Sequence, residues 1–298
     1  MEIMNVGRIS TAMVTPFDEQ EEVDYSAVTK LVNHLISNGS DSLVVAGTTG
    51  ESPTLSVEEK VTLFEHVVKT ANGRVPVIAG TGSNNTKASI DLTKKAEQAG
   101  VDAVMLVTPY YSKPSQEGMY LHFKKIAEST RLPVMLYNIP GRSAAGLNPE
   151  TIVELSFVEN ITAVKEASGD LDAIAYIIEN TPEDFHLYSG DDTLTLPIMA
   201  VGGTGVVSVA SHVLGNEMQE MVQSFVHGHP QYASKRHREL LPTMKTFTIA
   251  PSPAPIKAAL ELQGIISADV RLPMIRLNEE EMSLLRSTLQ PKTTFFVS

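Results

Sequence analysis

The chain has 298 residues, 42% hydrophobic and 19% charged, with a formal net charge of −12. Acidity without a Lys/Arg stripe argues against nucleic-acid binding, and no run of 18 apolar residues offers a helical membrane span. The absence of cysteine excludes disulfides, thiolate metal sites and a cysteine nucleophile. Length allows two domains of about 150 residues or one α/β barrel of roughly 250. The low charged fraction points to surface buried in subunit contacts. The first seven residues carry no basic flank followed by an apolar stretch, so no secretory leader is expected and the cytoplasm is the default compartment.

Short apolar runs recur at 10–15, 42–47, 75–80, 103–109, 133–140, 161–167, 185–190 and 203–210, each followed by a helix-like segment. A strand with its crossover helix takes about 30 residues, and near-continuous Val, Ile and Leu suits a parallel sheet covered on both faces. Asp24 opens a helix carrying Val28, Leu31, Val32, Leu35 and Ile36, which Asn38-Gly39 ends. Ser56-Val-Glu-Glu59 reads as a capping box, with Val61, Phe64, Val67 and Val68 behind it at helical spacing. Residues 39–45 and 100–106 look alike, which hints at an internal repeat of two βα units. Eight units predict a closed (β/α)₈ TIM barrel over an open doubly wound sheet, and no Gly-x-Gly-x-x-Gly follows the first strand. Past about residue 224 the strand pattern stops. The reading is therefore a barrel over 1–224 and a C-terminal helical region over 225–298, broken at Pro230, Pro242, Pro251, Pro253, Pro255 and Pro273.

In a barrel of this kind chemistry sits where the strands end at their C-termini. Those ends read Gly47-Thr-Thr-Gly-Glu-Ser52, Thr108-Pro-Tyr-Tyr111, Tyr137-Asn-Ile-Pro-Gly-Arg142, Val164-Lys-Glu-Ala-Ser168, Ser189-Gly-Asp-Asp192 and Gly202-Gly-Thr-Gly205. Lys165 falls in phase with Ile161, Ala163 and Ala167 inside an apolar strand. Burial would depress its pKa and free an amine to attack a carbonyl, where an ordinary lysine is neutral in only roughly 1 copy in 2,500 at pH 7. Pairing with Glu166, or snorkelling to the barrel mouth, is an equally open reading. Tyr137 and Tyr111 can shuttle protons or simply rim the core. Thr48 and Thr49 can hold a carboxylate or serve their own turn. Arg142 offers a fork to a second carboxylate or to solvent. The Gly202–Gly205 run resembles a phosphate cradle only weakly, and Asp191-Asp192 read as helix caps before metal ligands. The histidines show no metal-site spacing.

Gly47-Thr-Thr-Gly-Glu51, Tyr137-Asn-Ile-Pro140 and Lys165 together resemble the dihydrodipicolinate synthase/N-acetylneuraminate lyase family, from Thr11-Ala-Met-Val-Thr-Pro-Phe17 to the C-terminal helices. The resemblance implies a (β/α)₈ barrel, a lyase forming a Schiff base, and a homotetramer built from tight dimers. It implies no cofactor beyond the covalent imine between Lys165 and pyruvate. Thr49, Gly190 and Val207 would bind pyruvate. Tyr137, Thr48 and Tyr111 would relay protons, a tyrosine of the Tyr110-Tyr111 pair crossing to a neighbouring subunit. Arg142 would bind the carboxylate of L-aspartate 4-semialdehyde, on a route to diaminopimelate and lysine. Two departures stand out. Arg142-Ser143-Ala144 replaces Arg-Thr-Gly, and an alanine does not take positive φ as glycine does, so this loop is expected to differ. Val57, Lys60 and Ala88 occupy positions where inhibited members bind lysine through His and Glu, so weak or absent lysine feedback is expected. The rival readings are an aldolase or lyase of a sugar acid, such as N-acetylneuraminate or a keto-deoxy sugar acid, and a non-catalytic 2-keto-acid-binding barrel.

Overall fold

Each of the eight apolar runs forms a strand. They are β1 (Ile9–Ala12), β2 (Ser42–Val45), β3 (Val77–Gly80), β4 (Ala103–Val107), β5 (Val134–Asn138), β6 (Ile161–Glu166), β7 (His186–Ser189) and β8 (Gly205–Ser208). The computed structural model describes residues 6–289; the segment read for a leader lies largely outside them. Successive strands pair in parallel and β8 returns to β1, closing the barrel in the order β1 to β8. The helices are α1 (Tyr25–Ser37), α2 (Val57–Ala71), α3 (Thr86–Gln98), α4 (Gln116–Ala127), α5 (Pro140–Ser143), α6 (Pro149–Leu155), α7 (Leu171–Asn180), α8 (Thr195–Ala200), α9 (Ser211–Val226), α10 (Pro230–Thr246), α11 (Ala254–Leu262) and α12 (Glu279–Leu289).

Strand alternation divides the core into two layers. Leu43 and Val45 point outward against α1 and α2 through Leu31, Leu35, Phe64 and Val67. Val44 points inward with Ala12, Ile78, Met105, Met135 and Val207. Each fully buried Leu or Phe contributes about 1.5–3 kcal/mol, so the outer layer is the main source of stability. The caps follow the sequence. Asp24 accepts the N–H of Ala27 at 2.9 Å. Ser56 and Glu59 form both bonds of the capping box, at 2.7 and 3.1 Å.

The two similar stretches do the same work. Gly39 and Gly100 both take positive φ after a helix, at 90° and 83°. Asp41 then accepts the backbone N–H groups of Arg8 and Ile9, and Asp102 that of Val77. Each aspartate anchors the start of the strand before its own.

Two sequence expectations fail locally. Pro242 lies inside α10 and does not break it; α10 is held along α9 by tertiary packing, which overrides the one lost backbone bond. The Gly202–Gly205 run precedes β8 and so belongs to the N-terminal end of the barrel. A Cβ on Gly205 would lie 2.0 Å from the Arg8 carbonyl oxygen, and Val206 donates to that same oxygen at 2.8 Å. Close strand approach explains the glycine. No phosphate is needed.

Candidate active site

The parallel register sets Tyr137, Lys165 and Tyr188 side by side on β5, β6 and β7. All three are buried. An irregularity between Val134 and Met135 shifts the pairing, so Ile161 packs in the outer layer while Ala163 and Ala167 belong to the inner one. The expectation that Ile161 shares the face of Lys165 is thereby corrected. Lys165 Nζ stands 4.1 Å from the centre of the Tyr137 ring. Gly190 leaves room for it, since a Cβ there would lie 3.2 Å from Lys165 Cε and 2.6 Å from the Ala167 Cβ.

Glu166 does not pair with Lys165. Its carboxylate accepts Asn138 Nδ2 at 2.8 Å and the N–H of Ser168 at 2.7 Å. No carboxylate among the described residues lies within ion-pair distance of Lys165. Burial pushes its ammonium down to about 8; the Asp192 carboxylate opposes this and Arg142 adds to it. Such an amine is already about one-tenth neutral at pH 7.

The β2 end folds into a tight turn. Gly50 and Ser52 both donate to the Gly47 carbonyl, at 3.1 and 3.3 Å, and Glu51 donates to that of Thr48 at 3.1 Å. Thr15 Oγ1 donates to the Gly50 carbonyl at 2.7 Å. Thr49 is buried and Thr48 is exposed on the rim. Thr48, Tyr137 and Arg142 line one cavity of about 290 Å³, with Tyr110, Lys60 and Ser83 farther round its wall. Burial pushes the Tyr137 hydroxyl up to about 12, while the Arg142 charge and a hydrogen bond with Thr48 pull the other way. At neutral pH Tyr137 is therefore a protonated hydroxyl. A larger open groove of about 780 Å³ around Phe157 and Arg131 lies elsewhere, and none of these groups lines it.

Val207 lines the barrel interior with Tyr137 and Ala163. Tyr111 does not join its own chain's cluster. It lies in the loop after β4, 89% exposed, with a strained φ of 73°. Ala144 does adopt the positive φ (57°) that its residue type disfavours, so the loop keeps its turn at a cost. Ala144→Gly should relieve that strain and stabilise the fold by about 1 kcal/mol; denaturant titration checks it, and an unchanged midpoint would refute it. The turn is fixed by Ser143, whose Oγ donates to the carbonyl of Ile139 at 2.7 Å and receives Thr108 Oγ1 at 3.2 Å.

Asp191 caps as expected, accepting the N–H of Thr193 at 2.8 Å. Asp192 departs from the capping reading. It is half-buried, takes the Ser208 hydroxyl and the N–H groups of Val209 and Ala210, and faces Lys165 electrostatically. Two adjacent aspartates give no local sign of this difference. Lys257 was also missed. It is fully buried, and its only sequence signal is a lone charge in the apolar run Ala254-Pro-Ile-Lys-Ala-Ala-Leu260. Burial lowers its pKa to about 8 as well, but its Nζ is already bonded to Glu51 Oε1 and the Asp269 carbonyl, both at 2.6 Å. Lys165, by contrast, has no ion-pair partner among the described residues and stacks on Tyr137, which lines the cavity. Among the described residues no group of three or more His, Asp or Glu side chains is placed to hold a metal ion.

A closed (β/α)₈ barrel with a desolvated lysine at its core, flanked by a hydroxyl pair at the strand ends, defines an enzyme class: barrels that activate a carbonyl through an imine. The comparisons specify it further. The chain belongs to the Dihydrodipicolinate synthetase family, whose sequence profile matches residues 5–292. A 4-hydroxy-tetrahydrodipicolinate synthase from Bacillus velezensis is 65% identical over 96% of this chain and 99% of its own length. One from Bacillus subtilis is 62% identical over 96% and 99%. The crystal structure of a dihydrodipicolinate synthase from Bacillus anthracis superposes with a TM-score of 0.94 at 60% identity, covering 96% of this chain and 98% of that one.

Proposed function

We propose that this chain is a 4-hydroxy-tetrahydrodipicolinate synthase, a lyase that condenses pyruvate with L-aspartate 4-semialdehyde in lysine and diaminopimelate biosynthesis. The observation that carries the reading is Lys165, buried without an ion-pair partner among the described residues and 4.1 Å from the ring of Tyr137, a residue that walls a cavity together with Thr48 and Arg142.

The chemistry follows from those positions. The neutral amine of Lys165 adds to the pyruvate carbonyl, and water leaves as the imine forms. The protonated imine draws electrons from the methyl group, which loses a proton through Tyr137 and Thr48 and becomes an enamine. The enamine carbon bonds to the aldehyde carbon, whose oxygen takes up a proton. The amine of the second substrate then attacks the imine carbon, closes the ring and expels Lys165. Thr49, Gly190 and Val207 hold pyruvate; Arg142 takes the second carboxylate bidentately. No cofactor is required beyond the imine. Tyr111, exposed in a strained loop, completes the relay of a neighbouring subunit in a homotetramer working in the cytoplasm. No helix among the described residues is long and apolar enough to cross a membrane.

The test is turnover of pyruvate with L-aspartate 4-semialdehyde against cleavage of N-acetylneuraminate. The proposal expects the first alone. Sialic-acid cleavage would favour the sugar-acid reading, and pyruvate binding without turnover the non-catalytic one. Feedback by L-lysine should be weak. Lys60 stands half-buried on the cavity wall near Ser52 and repels a second ammonium. Half-inhibition at submillimolar L-lysine in the same assay would refute this.

A further inference from the structure

Glu51 ends the turn that carries Thr48 and Thr49, and two residues of the C-terminal region hold it. It is 4% exposed, with φ of 56°. Its Oε1 accepts Lys257 Nζ at 2.6 Å and its Oε2 accepts the N–H of Arg271 at 3.0 Å. These partners lie 206 and 220 residues away in the chain. Both also stack on Phe17, with Lys257 Nζ at 4.3 Å and the Arg271 guanidinium at 4.4 Å from its ring centre. The Arg271 side chain continues along the same segment, donating to the Thr54 carbonyl at 2.9 Å and to Glu59 at 2.6 Å.

A buried ion pair contributes little net stability compared with an apolar pair of the same shape. What it does supply is direction. Both Glu51 oxygens are committed to fixed donors, and Glu51 in turn bonds the Thr48 carbonyl through its own N–H. We infer that Glu51, Lys257 and Arg271 are positioning residues: the C-terminal region sets the geometry of the Thr48-Thr49 turn and with it the affinity for the 2-keto acid. This rests on the proposed function, in which Thr49 holds the pyruvate carboxylate.

The experiment compares the wild type with Lys257→Met, the charge-free pair Glu51→Met/Lys257→Met, and Arg271→Ala. Each is checked for folding by circular dichroism. Each is then read twice, by the pyruvate concentration that half-saturates the borohydride-trapped adduct and by the KM for the second substrate. Misplacing a binding group should raise the pyruvate value about tenfold in the Met variants and about threefold in Arg271→Ala, with the second KM within about twofold. The double variant leaves no orphan buried charge, so it decides the matter if Lys257→Met fails to fold; Arg271→Ala keeps the backbone N–H that Glu51 accepts but removes the side-chain bonds to Thr54 and Glu59, and it decides the matter if both fail. Folded variants with wild-type pyruvate half-saturation, or with equal changes for both substrates, would assign the cluster to stability alone. A wild type that forms no adduct would overturn the proposed function, and this inference with it.

Discussion

Lys165→Met abolishes the pyruvate adduct and lowers turnover by at least about 10⁴-fold, as loss of a covalent nucleophile does. Intact-mass measurement after borohydride reduction checks the first effect, and steady-state kinetics the second. An adduct retained in this variant would move the imine to another lysine, with Lys257 the alternative by its depressed pKa. In the wild type the pH dependence of adduct formation should rise with an apparent pKa near 8 rather than 10.5. The same variant is expected to be more stable. Lys165 has its folded pKa lowered from 10.5 to about 8, so between those values the unfolded chain binds more protons and stability rises with pH. Below pH 8 the penalty is fully present, about 3 kcal/mol from the shift. Methionine removes it, so Lys165→Met should melt several degrees higher at neutral pH, with the advantage shrinking toward pH 10. Equal melting temperatures at pH 7 would mean that the amine is not held against a desolvation cost.

Tyr137→Phe is expected to lower kcat by about 10²–10⁴-fold, the usual contribution of a placed proton-transfer group. The ring that faces Lys165 at 4.1 Å stays in place, so the adduct should still form and the fold should hold. That split separates the relay from the nucleophile. The Tyr137 hydroxyl, pushed up to about 12 by burial, stays protonated across the assay range and should add no titration of its own below pH 10. Single-turnover trapping beside steady-state rates is the measurement. A variant that turns over at the wild-type rate would remove Tyr137 from the proton path.

Much of the fold was legible because its signals are local. Apolar runs at βα spacing, Asp24, Ser56 with Glu59, and the glycines at 39 and 100 each act within a few residues, and all appear where expected. Lys165 stood out as a charge inside an apolar strand in phase with Ala163 and Ala167, and Tyr137 as a hydroxyl at a strand end. The Ala144 expectation failed because the hydrogen bonds of Ser143 to its own loop hold a turn that local preference disfavours.

The rest depended on what the closed barrel brings together. The same two-residue pattern at 191–192 contains one surface cap and one half-buried clip, and only the approach of the β8 end distinguishes them. Tyr111 lies beyond its strand and turns outward, which no periodicity encodes. Glu51 finds Lys257 across 206 residues. By itself the sequence determined the barrel, its caps and a lysine set inside an apolar strand, because periodicity and capping are short-range. Tertiary structure alone decided which charges are buried together, since desolvation and pairing depend on neighbours in space rather than in the chain.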